Sequence, residues 1–130
     1  MTIYGFRSAL APAPDGPASA AVSAGRLVFV SAQLPGDACG AAGSDAAGDS
    51  TAGQARRAFD HLAHQLRATG LGLDTVAALT IHLVDPADLE AVDEVCRACF
   101  TEPYPARTVA GATWLPGGAR LQVAAVAVRY

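Results

Sequence analysis

Residues 120–129 read Arg-Leu-Gln-Val-Ala-Ala-Val-Ala-Val-Arg, and this stretch decides the fold. The segment between its two arginines has no glycine, no proline and no charge, which predicts a β-strand. Alternate side chains of a strand point to opposite faces, so the strand presents two sets of residues. They are Leu121, Val123, Ala125 and Ala127 on one face, and Gln122, Ala124, Val126 and Val128 on the other. Both faces are largely apolar, and both must therefore be buried.

The segments before this strand alternate between extended and helical patterns. The predicted elements are a hairpin with strands at 20–23 and 27–31, a helix at 51–69, a strand at 76–84, a helix at 85–100 and a strand at 107–112. The order β-β-α-β-α-β-β predicts an α/β (α+β) fold, a mixed β-sheet with two helices on one face. The length of 130 residues predicts one domain, residues 1–130.

The apolar spacing supports both helices. Ala55, Phe59, Leu62 and Leu66 are spaced by four, three and four residues, and Gly70 would end this helix. The second helix carries Leu89, Val92, Val95 or Cys96, and Cys99 on its inner face. A proline-containing segment at 8–19 and a segment at 36–53 without large apolar residues predict long surface loops.

Two helices can cover only one face of such a sheet. The second apolar face of the last strand therefore needs another partner, and a second copy of the chain is the simplest one. Only 16% of the residues are charged, which also suggests that surface is buried between subunits. The sequence thus predicts an oligomer.

Composition excludes several function classes. A net charge of −3 argues against nucleic acid as the main partner. All nine basic residues are arginines, and the absence of lysine excludes a lysine Schiff base and a P-loop lysine. No apolar run approaches the length of a membrane span, and residues 1–7 do not resemble a secretory signal. The three cysteines do not form a disulfide framework, so we expect a cytoplasmic protein with no membrane partner.

Arg107 is the strongest candidate for a ligand site. It follows Pro103 and Pro105 at the entry of a predicted strand, where the rigid chain would hold its side chain. A guanidinium is a planar fork of donors that matches a carboxylate in two parallel hydrogen bonds. The alternative, which composition alone favours, is a surface arginine in a salt bridge.

Other reactive side chains have simpler interpretations. Cys96 and Cys99 lie three residues apart on an apolar helix stripe, which is typical of small core residues. His61 and His64 lack a third ligand, so no metal site is predicted. His82 is interpreted as a structural or interface histidine, and Trp114 as either a packing anchor or a pocket wall.

Several segments together resemble the Rid family, also called the YjgF family. They are Ala21–Pro35 in the first hairpin, Gln54 in the helix, Gly70–Val76, Phe100 with Pro105–Thr108, and Leu115-Pro116. The resemblance runs in order from about Gly16 to Val128. It implies a chorismate-mutase-like fold and a homotrimer with three clefts between subunits.

The resemblance also implies an activity. Typical members hydrolyse reactive enamines and imines, such as 2-aminoacrylate, to 2-oxo acids and ammonia without a cofactor. Arg107 would clamp the substrate carboxylate, Gln122 would face the substrate, and further residues would line the cleft. Those residues are Ala18, Ser31, Ala32, Asp93, Val109 and Trp114.

Four of these positions depart from the family pattern. Ala18 replaces a tyrosine, Asp93 an asparagine, Val109 a cysteine and Gln122 a glutamate. Glutamine can hold a water molecule by hydrogen bonds but cannot accept its proton. Two alternatives to a typical deaminase follow. One is a non-catalytic binder of small carboxylates, and the other is an enzyme of a biosynthetic pathway whose pocket accepts a larger substrate.

Overall fold

The computed structural model describes residues 2–36 and 50–130. Its regular elements are β1 (Ile3–Phe6), β2 (Ala21–Ala24), β3 (Leu27–Gln33), α1 (Thr51–Ala68), β4 (Val76–Leu83), α2 (Leu89–Cys99), β5 (Ala106–Gly111) and β6 (Leu121–Val128). The strands form a six-stranded sheet in the order β1-β2-β3-β6-β4-β5. Only the β4–β5 pair is parallel among the described strands, so the sheet is mixed.

The predicted fold class is confirmed. Strand β6 lies between β3 and β4, and its inward residues Leu121 to Ala127 at every second position are at most 5% exposed. The buried side chains of α1 and α2 pack with them in one core. The strand and helix bounds differ from the predicted ones by a few residues at most.

The sequence prediction missed β1. This four-residue strand pairs antiparallel with β2 and forms one edge of the sheet. It contains Gly5, and three of its four residues are exposed, so it has no periodic apolar signal. The observed order is therefore β-β-β-α-β-α-β-β. Most of the loop predicted for 36–53 lies outside the described residues.

Helix α1 has sequence-encoded ends. At its N-terminus, the Ser50 hydroxyl oxygen accepts a hydrogen bond from the Gly53 amide. At its C-terminus, Gly70 adopts a positive φ of 85°, and its amide bonds to the Arg67 carbonyl while the Leu71 amide bonds to the Leu66 carbonyl. This glycine-dependent pair of bonds satisfies the last carbonyls of the helix. Gly70 therefore ends α1 as the sequence predicts.

Two fully buried glutamines attach α1 to other parts of the chain. The Gln54 side-chain oxygen accepts a hydrogen bond from the Arg120 amide, just before β6. The Gln65 side-chain oxygen accepts one from the Ser8 amide, just after β1. Buried amides of this kind are costly unless they are paired, so these two contacts fix where α1 rests on the sheet.

The sheet face away from the helices carries an apolar surface, which we call the open face. Its residues on neighbouring strands include Val22, Phe29, Val126 and Ala78, aligned across β2, β3, β6 and β4. Leu27 and Phe29 on this face are both 41% exposed. Exposed apolar patches on a sheet are typical of surfaces that contact another protein.

Candidate active site

Arg107 lies at a cavity between α2 and the β4–β5 edge of the sheet, which we call the arginine pocket. The cavity has a volume of about 250 Å³. It is lined by Leu79, Asp93, Cys96, Arg97, Phe100, Tyr104, Pro105 and Arg107. Pro105 precedes β5 directly, and the pairing of Arg107 with buried Leu79 turns its side chain toward the helix layer. The local sequence thus directs the guanidinium into the pocket.

Arg107 already has an acidic partner in this pocket. Its Nη1 donates a hydrogen bond to Asp93 Oδ1 at 2.5 Å, and the two side chains are 33% and 26% exposed. The bond to Asp93 raises the pKa of the guanidinium above its usual range, so Arg107 stays charged. This contact is the salt bridge of the alternative interpretation, and the clamp on a substrate carboxylate stays a prediction.

Cys96 lies against the same guanidinium. Burial raises the pKa of its thiol, and the hydrogen bond from Arg107 opposes that shift only in part. Burial likewise raises the pKa of Cys99, one turn along α2. Both cysteines are free thiols. The thiolate is the reactive form of cysteine, and a raised pKa disfavours it. Both side chains therefore serve as packing residues of the inner helix face, as the spacing predicts.

A second cavity of about 270 Å³ surrounds Gln122, and we call it the glutamine cleft. It is lined by Pro12, Ala13, Pro14, Asp15, Ala18, Ala20, Ser31, Ala32, Gln33, Leu34, Pro116 and Gln122. Ser31 Oγ donates to the Ser19 carbonyl at 2.6 Å, which holds the segment before β2 against β3. Four of the predicted site residues, namely Ala18, Ser31, Ala32 and Gln122, thus meet here.

The Gln122 side chain contacts a histidine of the neighbouring strand. Its Nε2 lies 3.2 Å from Nδ1 of His82, the residue opposite it on β4. The two residues are 40 positions apart in sequence and meet only through the β4–β6 register. The sequence indicates a structural or interface role for His82 and does not predict this contact.

The two cavities are separate within one protomer. Leu79 pairs with both Arg107 and Ala125, so all three side chains face the helix layer. Gln122 lies between the buried residues Leu121 and Val123 of β6 and therefore points to the opposite face of the sheet. One copy of the chain thus carries two separate cavities, and Arg107 cannot face Gln122 within it.

Two predicted site residues line neither cavity. Val109 is 37% exposed and Trp114 is 71% exposed. The interpretation of Trp114 as a packing anchor is wrong within one protomer, because its indole projects into solvent. Arg97 and Tyr104 line the arginine pocket and were missed by sequence analysis. Tyr104 directly precedes Pro105, and Arg97 lies one helical turn after Asp93, so these two positions were the signals that could have indicated them.

Across residues 2–36 and 50–130, no group of three or more histidine, cysteine, aspartate or glutamate side chains could hold a metal ion. In the same part of the chain, no helix combines the length and apolar character that crossing a membrane requires.

Comparison with known proteins identifies relatives over nearly the whole chain. The profile of the family described as endoribonuclease L-PSP matches residues 8–129. Protein DfrA of Myxococcus xanthus is 38% identical over 98% of this chain and 97% of its own length. The 2-iminobutanoate/2-iminopropanoate deaminase of Capra hircus is 34% identical over 94% of this chain and 87% of its own.

Comparison with solved structures also identifies similar proteins over nearly the whole chain. The YjgF gene product of E. coli has a TM-score of 0.85 and 27% identity, covering 98% of this chain and 99% of that one. E. coli TdcF, crystallised with bound serine, has a TM-score of 0.85 and 26% identity over the same shares of the two chains. These matches confirm the resemblance drawn from the sequence.

Proposed function

The chain belongs to the Rid (YjgF) family, and on this premise we propose that it hydrolyses 2-imino acids to 2-oxo acids and ammonia. The observation that carries the proposal is the arginine pocket, where a permanently charged guanidinium stands at a cavity of about 250 Å³. A cavity of this size suits a small carboxylate. The relatives named 2-iminobutanoate/2-iminopropanoate deaminase indicate the substrate class.

The complete site would form between subunits. The half-sites around Arg107 and Gln122 face opposite sides of the sheet, so neighbouring copies must bring them together. The open face supports such an assembly, because Leu27, Phe29, Val126 and Val128 present apolar surface without a helix over it. We propose a homotrimer, with a cleft at each junction.

The residues present suit imine hydrolysis. Arg107 would hold the substrate carboxylate, and the Gln122 amide would hold the attacking water, which it can orient without accepting a proton. Water adds to the imine carbon, both of its protons pass to nitrogen, and the carbon–nitrogen bond breaks so that nitrogen leaves as ammonium. The overall reaction, R–C(=NH₂⁺)–COO⁻ plus water to R–CO–COO⁻ plus NH₄⁺, conserves atoms and charge. We propose that no cofactor takes part.

The test uses 2-aminoacrylate or 2-iminobutanoate generated in situ, with release of the 2-oxo acid followed over time. We expect acceleration over the spontaneous rate, and a loss of about 10²-fold or more in Arg107→Ala because the clamp is gone. Arg56→Ala removes an exposed arginine of α1 and serves as the matched control. An unaccelerated reaction with carboxylate binding retained would instead indicate a binding protein.

A larger substrate is the second candidate. The glutamine cleft is lined by small side chains, including Ala13, Ala18 and Ala32, where the family pattern has a tyrosine in place of Ala18. If the protein serves a biosynthetic pathway, imines with bulky side chains should be hydrolysed faster than 2-iminopropanoate. Ala18→Tyr should then remove that preference while leaving the short substrate unaffected.

A further inference from the structure

The contact between Asp93 and Arg107 poses a problem for a plain carboxylate clamp. Asp93 Oδ1 accepts a hydrogen bond from the same guanidinium that would take the substrate, and its negative charge repels a second anion. A pocket selecting any small carboxylate would work better with a neutral side chain at position 93. The acid therefore needs a function of its own.

Both partners keep unused hydrogen-bonding capacity. A guanidinium has five N–H donors, and Asp93 takes one from Nη1. The Cys96 thiol also contacts the Arg107 side chain. An ionised carboxylate has two oxygens that can each accept more than one bond, so Asp93 can receive another donor. The side chains are 33% and 26% exposed, so a ligand can reach both.

We propose that Asp93 binds the protonated imine nitrogen while Arg107 binds the neighbouring carboxylate, so that the pocket selects 2-iminium acids over 2-oxo acids. This inference rests on the proposed function and names the form of the substrate. The imine nitrogen is attached to the carbon next to the carboxylate, so the two substrate charges are adjacent. The protein presents two adjacent charges of opposite sign, joined at 2.5 Å.

The same arrangement favours release of the product. Hydrolysis replaces the nitrogen cation with a carbonyl oxygen, which has no proton to donate and carries partial negative charge. Asp93 then has no nitrogen cation of the ligand to bind and repels the product, while ammonium leaves separately. Arg97 also lines the pocket and keeps its net charge positive, which still favours the carboxylate end of the ligand.

The test compares two stable ligands of the same carbon skeleton by calorimetry. 2-Aminobutanoate carries an ammonium beside its carboxylate, and 2-oxobutanoate carries none. We expect the unmodified protein to bind 2-aminobutanoate more tightly.

Asp93→Asn should reduce the ratio of the two affinities by about 10-fold, because a hydrogen bond between two charges becomes one to a neutral amide. Glu94→Gln removes the same charge from an exposed position of α2 and should leave the ratio unchanged.

An unchanged ratio in Asp93→Asn, or tighter binding of 2-oxobutanoate by the unmodified protein, would overturn the inference. Asp93→Ser provides a second neutral variant, and the thermal midpoint of each variant establishes that it is folded. The inference is judged on binding ratios, whereas the proposed function is judged on imine hydrolysis. Absence of hydrolysis with a ratio that depends on Asp93 would refute the function alone. Binding of neither ligand would refute the inference.

Discussion

The arginine pocket and the glutamine cleft differ in charge and in construction. The first is lined by α2 and the start of β5 and holds an ion pair of Arg107 with Asp93. Apart from Asp15, the second is lined by small or neutral side chains from loops and from β3 and β6, and the Gln122 amide contacts His82. An ion pair suits the binding of a charged ligand, and the neutral amide of Gln122 suits the holding of a water molecule. On the proposed function, recognition and hydrolysis would fall on two faces of one sheet.

The largest expected effect comes from mixing two inactive variants. Arg107→Ala damages only the arginine pocket, and Gln122→Ala damages only the glutamine cleft. If each active cleft combines one half-site from each of two neighbours, co-refolded mixtures regain clefts with both half-sites intact. Random assembly of equal amounts should restore about a quarter of the activity of the unmodified protein.

The control for this experiment is simple addition of the two folded variants under conditions where subunits do not exchange, which should give only their average activity. Absence of recovery after co-refolding, in a mixed oligomer demonstrated by tagged subunits, would show that both half-sites act within one copy.

A second prediction concerns the missing carboxylate at position 122. Gln122→Glu supplies a side chain able to accept the proton of water, and positioned bases contribute about 10²–10⁴-fold in enzymes. Because His82 occupies the neighbouring position, we expect a smaller gain of about 10-fold in kcat for 2-aminoacrylate. Gln122→Met keeps the length without polar atoms and should lower kcat. A gain in Gln122→Met as well would contradict the role assigned to this position.

The smallest effect is a pH dependence of stability near the glutamine cleft. His61 Nδ1 lies 2.8 Å from the carbonyl of Leu34, which lines this cleft. Burial lowers the pKa of His61 in the folded protein below its usual value of 6.5. Stability is therefore complete above the unfolded pKa and decreases as the pH falls below about 6.5, where the unfolded chain takes up more protons.

Urea unfolding at pH 7.5 and pH 5.5 measures this effect. His61→Asn retains an N–H donor for Leu34 without the ionisable ring, so its stability should change less between the two pH values. His64→Asn removes a smaller electrostatic cause of the lowered His61 pKa, so it should reduce the pH response less than His61→Asn does. An equal pH response in His61→Asn would assign the acid sensitivity to other groups.

The sequence predicted those elements that carry a strong periodic pattern. The alternation in 121–128 and the apolar spacing of α1 gave the correct strand and helix, because both elements bury one continuous face. Strand β1 was not predictable in the same way. Its stability depends on pairing with β2, some 15 residues away, and its own side chains are mostly exposed.

Candidate site residues can be named from the sequence, but their arrangement cannot. Arg107 was indicated by the prolines before it and by guanidinium chemistry. Its contact with Asp93 depends on how α2 packs beside β5, and the contact between Gln122 and His82 depends on strand register. Such contacts are set by tertiary packing. No local pattern reveals that Arg107 and Gln122 face opposite sides of the sheet.

The two buried glutamines of α1 have a consequence for how the glutamine cleft opens. The amides of Ser8 and Arg120 are held by the Gln65 and Gln54 side chains. Exchange of these amide hydrogens with deuterium requires the two side-chain hydrogen bonds to open, and lifting of α1 from the sheet would open both together. Ser8 precedes the Pro12–Asp15 wall of the cleft, and Arg120 comes two residues before Gln122. Matched exchange rates at these two distant amides would report a single opening motion that loosens both sides of the cleft at once.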